Sequence, residues 1–203
     1  MWDDRFRGEG YLYGTDPAGF VAAQAGVLPP AAKVLSVADG EGRNSTYLAG
    51  LGHQVTAIDA SGVALEKARA LAATRKVTVQ FAQVDILAWD WPDGAFDAVL
   101  GVFIQFLPAE LRTGLHRNLA QAVRPGGMVL LHGYAPRQVG YGTGGPSQVG
   151  NLYTLDQLRA DFAGWEVVRA EDYDATLREG QGHSGTAALI DFIARKPRMA
   201  DPA

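Results

Sequence analysis

Two acids, Asp39 and Glu41, flank Gly40, and Gly42 follows at once. Carboxylates in a glycine turn can hold a cation, accept from hydroxyls or simply be solvated. They are poor company for a pyrophosphate, because like charges at close range repel. A third acid, Asp59, closes the next apolar run. The four histidines, His53, His116, His132 and His183, show no metal-ligand spacing, so no metal site is expected. His183 lies beside Glu179 and is the histidine to test for acid-base work, with a loop-ordering hydrogen bond as its bland alternative. His116 is assigned to the polar face of its helix and His132 to the core or a strand end. The chain contains no cysteine, which removes thiolate nucleophiles, disulfides and cysteine metal sites. Neither a Gly-x-Ser-x-Gly elbow nor a Gly-Lys-Ser phosphate loop appears.

These acids are positioned by a strand over 33–37, a turn over 38–43, a helix over 44–49 and a strand over 54–59. That order builds nucleotide clefts in α/β sheets. Asp59 then stands where such folds place a carboxylate for ribose hydroxyls. The third glycine of a dinucleotide fingerprint is replaced by Ser45. A ligand bearing a sulfonium and an ammonium suits an acidic turn better than a diphosphate does. S-adenosylmethionine (SAM) is such a ligand and is the expected cofactor. The alternatives are a SAM- or S-adenosylhomocysteine (SAH)-binding module without turnover, an NAD-dependent oxidoreductase, and a tight turn with solvated acids.

The run Gly40-Glu41-Gly42-Arg43-Asn44-Ser45 resembles that of class I SAM-dependent methyltransferases, in the form seen in the tellurite-resistance and thiopurine methyltransferase-like branch. The resemblance extends to 2–6, to 11–15 and to the run from Glu179 to His183. It implies a doubly wound, seven-stranded, mostly parallel sheet whose last strand is antiparallel. It also implies cofactor contacts from Ser36, Ala38, Asp39, Gly40 and Asn44, from Asp59 and Ala60, from Asp85 and Ile86 at the adenine, and from Val102. The N-terminal segment of that branch folds over the cofactor, which nominates Trp2, Tyr11 and Tyr13. Tyr13 and His183 are the catalytic candidates. Ser36 stands where many relatives carry an acid, and Ala38 where many carry glycine. Val102 to Phe106 matches the place of the reacting methyl; Phe106 cannot act as a base, and no Asp-Pro-Pro-Tyr motif for amide methylation is present. The expected acceptor is a small molecule, a soft thiol or metalloid species being one option.

Elsewhere, 1–27 reads as an aromatic-rich lid or as a helix packed on the sheet edge, with a short helix over 18–25. Ser61 caps a helix with Leu65, Ala68, Leu71 and Ala72 on one face. Strands are expected at 77–81, 96–103, 128–132, 165–173 and 187–196. Pro108 opens a helix presenting Leu111, Leu115, Leu119, Ala122 and Val123. Residues 134–153 form a long glycine-rich loop, expected on the substrate side. Thr154 starts a capping box, and a polar connection runs over 174–184, with a frayed tail over 197–203.

The 203 residues suit one domain, taken as 1–203. Apolar residues at 47% and charged ones at 20% are ordinary for a globular protein. A net charge of -4 argues against a nucleic-acid partner. No apolar run approaches the roughly 18 residues that span a bilayer, and the N-terminus is too polar for a signal peptide. No membrane partner is expected, a cytoplasmic location is, and monomer and dimer both stay open.

Overall fold

The computed structural model describes residues 2–180 and 182–198. Met1, Gln181 and residues 199–203 lie outside the described residues, and with them most of the expected tail. The elements run α1 (Trp2–Phe6), α2 (Gly19–Gln24), β1 (Lys33–Val37), α3 (Arg43–Gly50), β2 (Gln54–Asp59), α4 (Gly62–Arg75), β3 (Gln80–Gln83) and β4 (Phe96–Val102). Then come α5 (Ala109–Ala122), β5 (Val123–Tyr134), α6 (Leu155–Asp161), β6 (Glu166–Glu179) and β7 (His183–Arg195).

The seven strands order as β3-β2-β1-β4-β5-β7-β6. Strands β1 to β5 pair parallel, and β7 runs antiparallel between β5 and β6. The expected sheet is thus present. Along β1 successive residues face opposite layers: Val34 packs with Phe20, Val21 and Leu48, whereas Leu35 and Val37 pack with Leu119, Leu131 and Phe192. Strand β5 repeats this, with Met128 and Leu130 on one side and Val129 and Leu131 on the other. Burial on both faces is why these strands read as near-continuous apolar runs. Because β1 pairs with β2 on one side and β4 on the other, the crevice at their carboxyl ends is the point where ligands enter open sheets.

Helix α4 starts where Ser61 accepts a hydrogen bond from the Ala64 N–H at 3.1 Å, and α6 where Thr154 accepts from the Gln157 N–H at 3.3 Å. Several expectations shift. The third strand lies at Gln80–Gln83, because Val77 is still bonded back to α4 through Ala72. The polar stretch over 174–184 is largely strand, since β6 and β7 pair from Glu166↔Arg195 to Glu179↔His183. Leu111 is 48% exposed, so the buried face of α5 is Leu115, Leu119 and Ala122. The loop after β5 carries two short 3-10 turns, Pro136–Gly140 and Val149–Asn151.

His116 is fully buried on α5, its Nδ1 2.7 Å from Asp161 Oδ2 on α6, which corrects its assignment to a polar face. A second buried pair crosses the sheet. His132 Nδ1 on β5 lies 2.7 Å from Asp191 Oδ1 on β7, and Asp191 also accepts from Arg169 Nε at 2.9 Å and from the Tyr173 hydroxyl at 3.1 Å. Burial alone would raise the Asp191 pKa, but His132 and Arg169 outweigh it and hold the carboxyl below its usual range.

One glycine fixes how α3 meets α4. Gly42 has φ +86°, and a Cβ there would fall 2.7 Å from the Ala68 Cβ. Gly42→Ala should lower stability by roughly 1–3 kcal/mol through overpacking and backbone strain. Urea unfolding checks this; an unchanged midpoint would show that the two helices separate freely.

Candidate active site

A cavity of about 390 Å³ lies over the carboxyl ends of β1 to β4. Ser36 comes from β1, and Ala38, Asp39 and Gly40 from the turn after it; Arg43 and Asn44 come from α3. Asp59 ends β2 and Ala60 follows it, Asp85 and Ile86 follow β3, and Val102 ends β4 with Phe103 next. Trp2, Phe6 and Tyr13 cover it from the N-terminal segment, and His183 enters from β7. Of the expected cofactor residues, Tyr11 alone is absent from this wall: its hydroxyl donates to the Lys67 carbonyl on α4 at 3.2 Å. A cleft of about 420 Å³ between residues 13–20 and β6 also reaches Tyr13 and Glu179, but touches none of the β1, β2 or β3 ends.

The turn after β1 is held in place by carboxylates. Asp59 Oδ2 accepts the Gly40 N–H and its Oδ1 the Ser61 N–H, both at 2.8 Å. Asp39 is 9% exposed and accepts from the Ser36 hydroxyl at 2.6 Å and from the Ser45 hydroxyl. Burial pushes its carboxyl up to about 6, against the pull of both serines. Burial also raises Asp59, against three backbone N–H bonds. Ala38 has φ +49°, a left-handed position where glycine is the unstrained choice.

Glu41 departs from expectation. It is buried away from the cavity, where its Oε2 accepts the Leu12 N–H at 2.7 Å and its Oε1 pairs with Lys67 Nζ at 2.9 Å. The Lys67 ammonium also donates to the carbonyls of Gly8 and Gly10, at 2.8 and 2.7 Å. Asp3 accepts from the Ser61 hydroxyl at 2.6 Å, and Asn44 Oδ1 accepts the Ala18 N–H at 2.9 Å. Residues 3–18 are therefore strapped across the sheet end by side chains of α3, α4 and the loops before them. The β6–β7 turn closes the strap from the far side. The Gly182 N–H donates to the Leu12 carbonyl at 3.1 Å, and a Cβ on Gly180 would fall 2.5 Å from Gly14 N. This packing places Trp2, Phe6 and Tyr13 on the wall of the cavity.

Beneath the strap sit aromatic rings. Trp2 meets Phe106 edge-on at 5.6 Å and Phe6 meets Tyr13 at 6.3 Å. The His183 ring lies 4.2 Å from Phe103 and 4.4 Å from Tyr13, centre to centre. Its Nδ1 is 3.7 Å from Glu179 Oε2, an ion-pair distance beyond hydrogen-bond reach. Glu179 pairs with Arg43 Nη2 at 2.8 Å and accepts the Gly19 N–H at 3.0 Å. Burial opposes ionisation of Glu179, but His183, Arg43 and Gly19 together hold it down at about 2. Phe103, with φ +56°, turns left-handed as β4 ends, which aims its ring at His183.

Residues 34–127 match a family described as a methyltransferase domain. The stretch is under half of the chain. A 2-heptyl-1-hydroxyquinolin-4(1H)-one methyltransferase of Mycobacteroides abscessus is 34% identical over 95 residues, covering 46% of this chain and 42% of that protein. The chain thus spans less than half the length of that curated relative. Among solved structures, one described as "Conversion of a Disulfide Bond into a Thioacetal Group during Echinomycin Biosynthesis" superposes with TM-score 0.79 at 21% identity, over 98% of this chain and 92% of that one. TehB from Haemophilus influenzae gives TM-score 0.72 at 22% identity, over 88% and 62%. Both structural likenesses are under 25% identical and speak for the fold alone.

Sequence reasoning missed Phe6, Phe103 and Arg43 on this wall, and the anchoring role of Glu41. The aromatic density of the leader signalled Phe6; nothing local signalled the turn at Phe103. The raised Asp39 pKa has a consequence for stability. A folded pKa above the unfolded value gives stability that is full below about 3.8 and lost as pH rises through about 6. Asp39→Asn should therefore stabilise the ligand-free protein at neutral pH, on the order of 1–3 kcal/mol, with the gain vanishing in acid. Urea midpoints across pH test this; a gain that persists in acid would contradict it.

Proposed function

We propose that this protein transfers a methyl group from SAM to a small-molecule acceptor. The observation that carries the reading is the charge of the cavity. Asp39, Asp59 and Asp85 line it against one guanidinium, Arg43, which Glu179 already neutralises. Among the described residues lining the cavity a diphosphate finds no uncommitted cation, whereas a sulfonium with an ammonium meets carboxylates and aromatic faces, both of which attract cations. The residues fit the donor along its length. Asp59 retains lone pairs for ribose hydroxyls, Asp85 with the backbone of Ile86 suits an amino-purine edge, and Asp39 with Asn44 suits the amino-acid end. When bound, SAM supplies an electrophilic methyl group.

The chain's own residues would then bind, align and dry the reactants. In-line displacement at a methyl gains most from near-attack placement and removal of water. The strap over residues 3–18, fixed through Lys67, Glu41 and Asn44, would exclude solvent from above once the ligands are in place. Trp2, Phe6, Tyr13, Phe103 and Phe106 give the cavity an aromatic wall, which favours an apolar acceptor bearing a soft nucleophile. A thiol fits that description, and a metalloid species is the other soft option.

Asp59→Ala should weaken SAM binding by roughly 1–3 kcal/mol, the scale for losing a hydrogen bond to a charged group. Calorimetry on the folded variant measures it; unchanged affinity would remove Asp59 from the donor site.

A further inference from the structure

One guanidinium above the cavity is left without a counter-charge. Arg5, on α1, is exposed and makes no ion pair or hydrogen bond with the described residues. Its guanidinium carbon lies 5.7 Å from the centre of the Trp2 ring and 6.0 Å from that of Tyr13, and both rings line the cavity. The acids next to it in the chain are committed elsewhere: Asp3 accepts from the Ser61 hydroxyl at 2.6 Å, and Asp4 pairs with Arg7 at 3.2 Å. Arg43, on the cavity wall, is neutralised by Glu179 at 2.8 Å. Arg5 is instead a cation held on aromatic faces. Stacking of this kind orients the planar guanidinium and leaves its N–H edge open to a ligand.

The contacts of Arg5 single out one end of the cavity. Trp2 meets Phe106 edge-on, and Tyr13 meets the His183 ring. Phe106 lies beyond the end of β4 and His183 opens β7, across β1 from the strand ends that carry Asp59 and Asp85. Burial raises the pKa of the Tyr134 phenol on β5, and the Arg5 charge is among those pulling it back, so its field reaches the same side.

We propose that Arg5 selects an acceptor with an aromatic or apolar body and a carboxylate, by pairing with that carboxylate at the mouth of the cavity. The proposal rests on the methyl-transfer reading and adds the charge of the acceptor. On that reading the donor's nucleoside takes Asp59 and Asp85, and the aromatic end is left to the acceptor. The acceptor's body lies against Trp2, Phe103 and Phe106, and its carboxylate accepts two N–H groups of Arg5 side by side. A carboxylate suits the site better than a phosphate dianion. Asp39, Asp59 and Asp85 line the same cavity and repel a second negative charge. Arg5 touches no reacting atom; it sets which acceptor enters.

The test measures calorimetric affinity, on the protein saturated with SAH, for 2-naphthoate and for its uncharged counterpart 2-naphthamide. The wild-type protein should bind the acid about five- to tenfold more tightly, the scale for a charge-assisted pair at a partly exposed site. Arg5→Gln should erase the difference by weakening the acid alone, and Arg5→Glu should reverse it. Arg7→Gln removes the same charge two residues away and should leave the preference intact, which separates a specific pairing from the general field. 2-Naphthyl phosphate should gain less than the acid. Urea midpoints show that the variants fold, and the wild-type comparison of acid and amide stands whether or not they do. Equal binding of acid and amide by the wild type would overturn the proposal. So would a preference that survives in Arg5→Gln or is lost equally in Arg7→Gln, tighter binding of the phosphate, or no binding of any naphthyl compound. SAH binding is measured first, so its failure would strike the donor reading; the naphthyl pair is then read on the ligand-free protein.

Discussion

Two buried carboxylates on either side of Gly40 set the geometry on which the rest of this site depends. Asp59 closes β2 and takes the N–H of Gly40, so the turn after β1 is bonded to the neighbouring strand's end. Asp39 hangs between two serine hydroxyls at the floor of the cavity. Charged groups placed there without water are costly, and the raised pKa of Asp39 records that cost. Such an arrangement gains when a cation enters. The same electrostatics that strain the ligand-free cavity thus favour a positively charged ligand.

The strap shows how local acids divide their labour. Asp39 and Glu41 are two residues apart, yet one faces the cavity and the other faces α4. Left-handed backbone at Gly40 and Gly42 turns the chain between them. Glu41 then meets Lys67 and the Leu12 N–H, which binds the covering segment to the helix that packs on Gly42. The floor and the cover of the cavity are in this way built from one glycine turn. On the far side, Glu179 joins Arg43 to Gly19, the first residue of α2, so β6 also helps hold the cover.

The sheet was legible because its strands are buried on both faces and its helices carry caps at Ser61 and Thr154. The cluster at Ala38, Asp39, Gly40 and Asp59 was legible because strand, turn and strand are contiguous in the chain. What was not legible depends on distant partners. His116 looked polar because Asp161 lies 45 residues away. Glu41 looked like a ligand group because Lys67 and Leu12 are remote in sequence. The β6–β7 hairpin was read short because β6 is mostly exposed and carries many charges, which mask its period. Phe103 takes a left-handed backbone that no propensity assigns to phenylalanine.

The central claim is that an acid-floored cleft selects a cationic nucleoside over a dinucleotide. Its most direct measurement is calorimetric affinity for SAM and for NAD as the pH is raised through about 6, where Asp39 ionises. SAM should bind, and bind more tightly on the alkaline side, while NAD should not compete. Binding of NAD in preference to SAM, or a SAM affinity that weakens as Asp39 gains its charge, would contradict the claim.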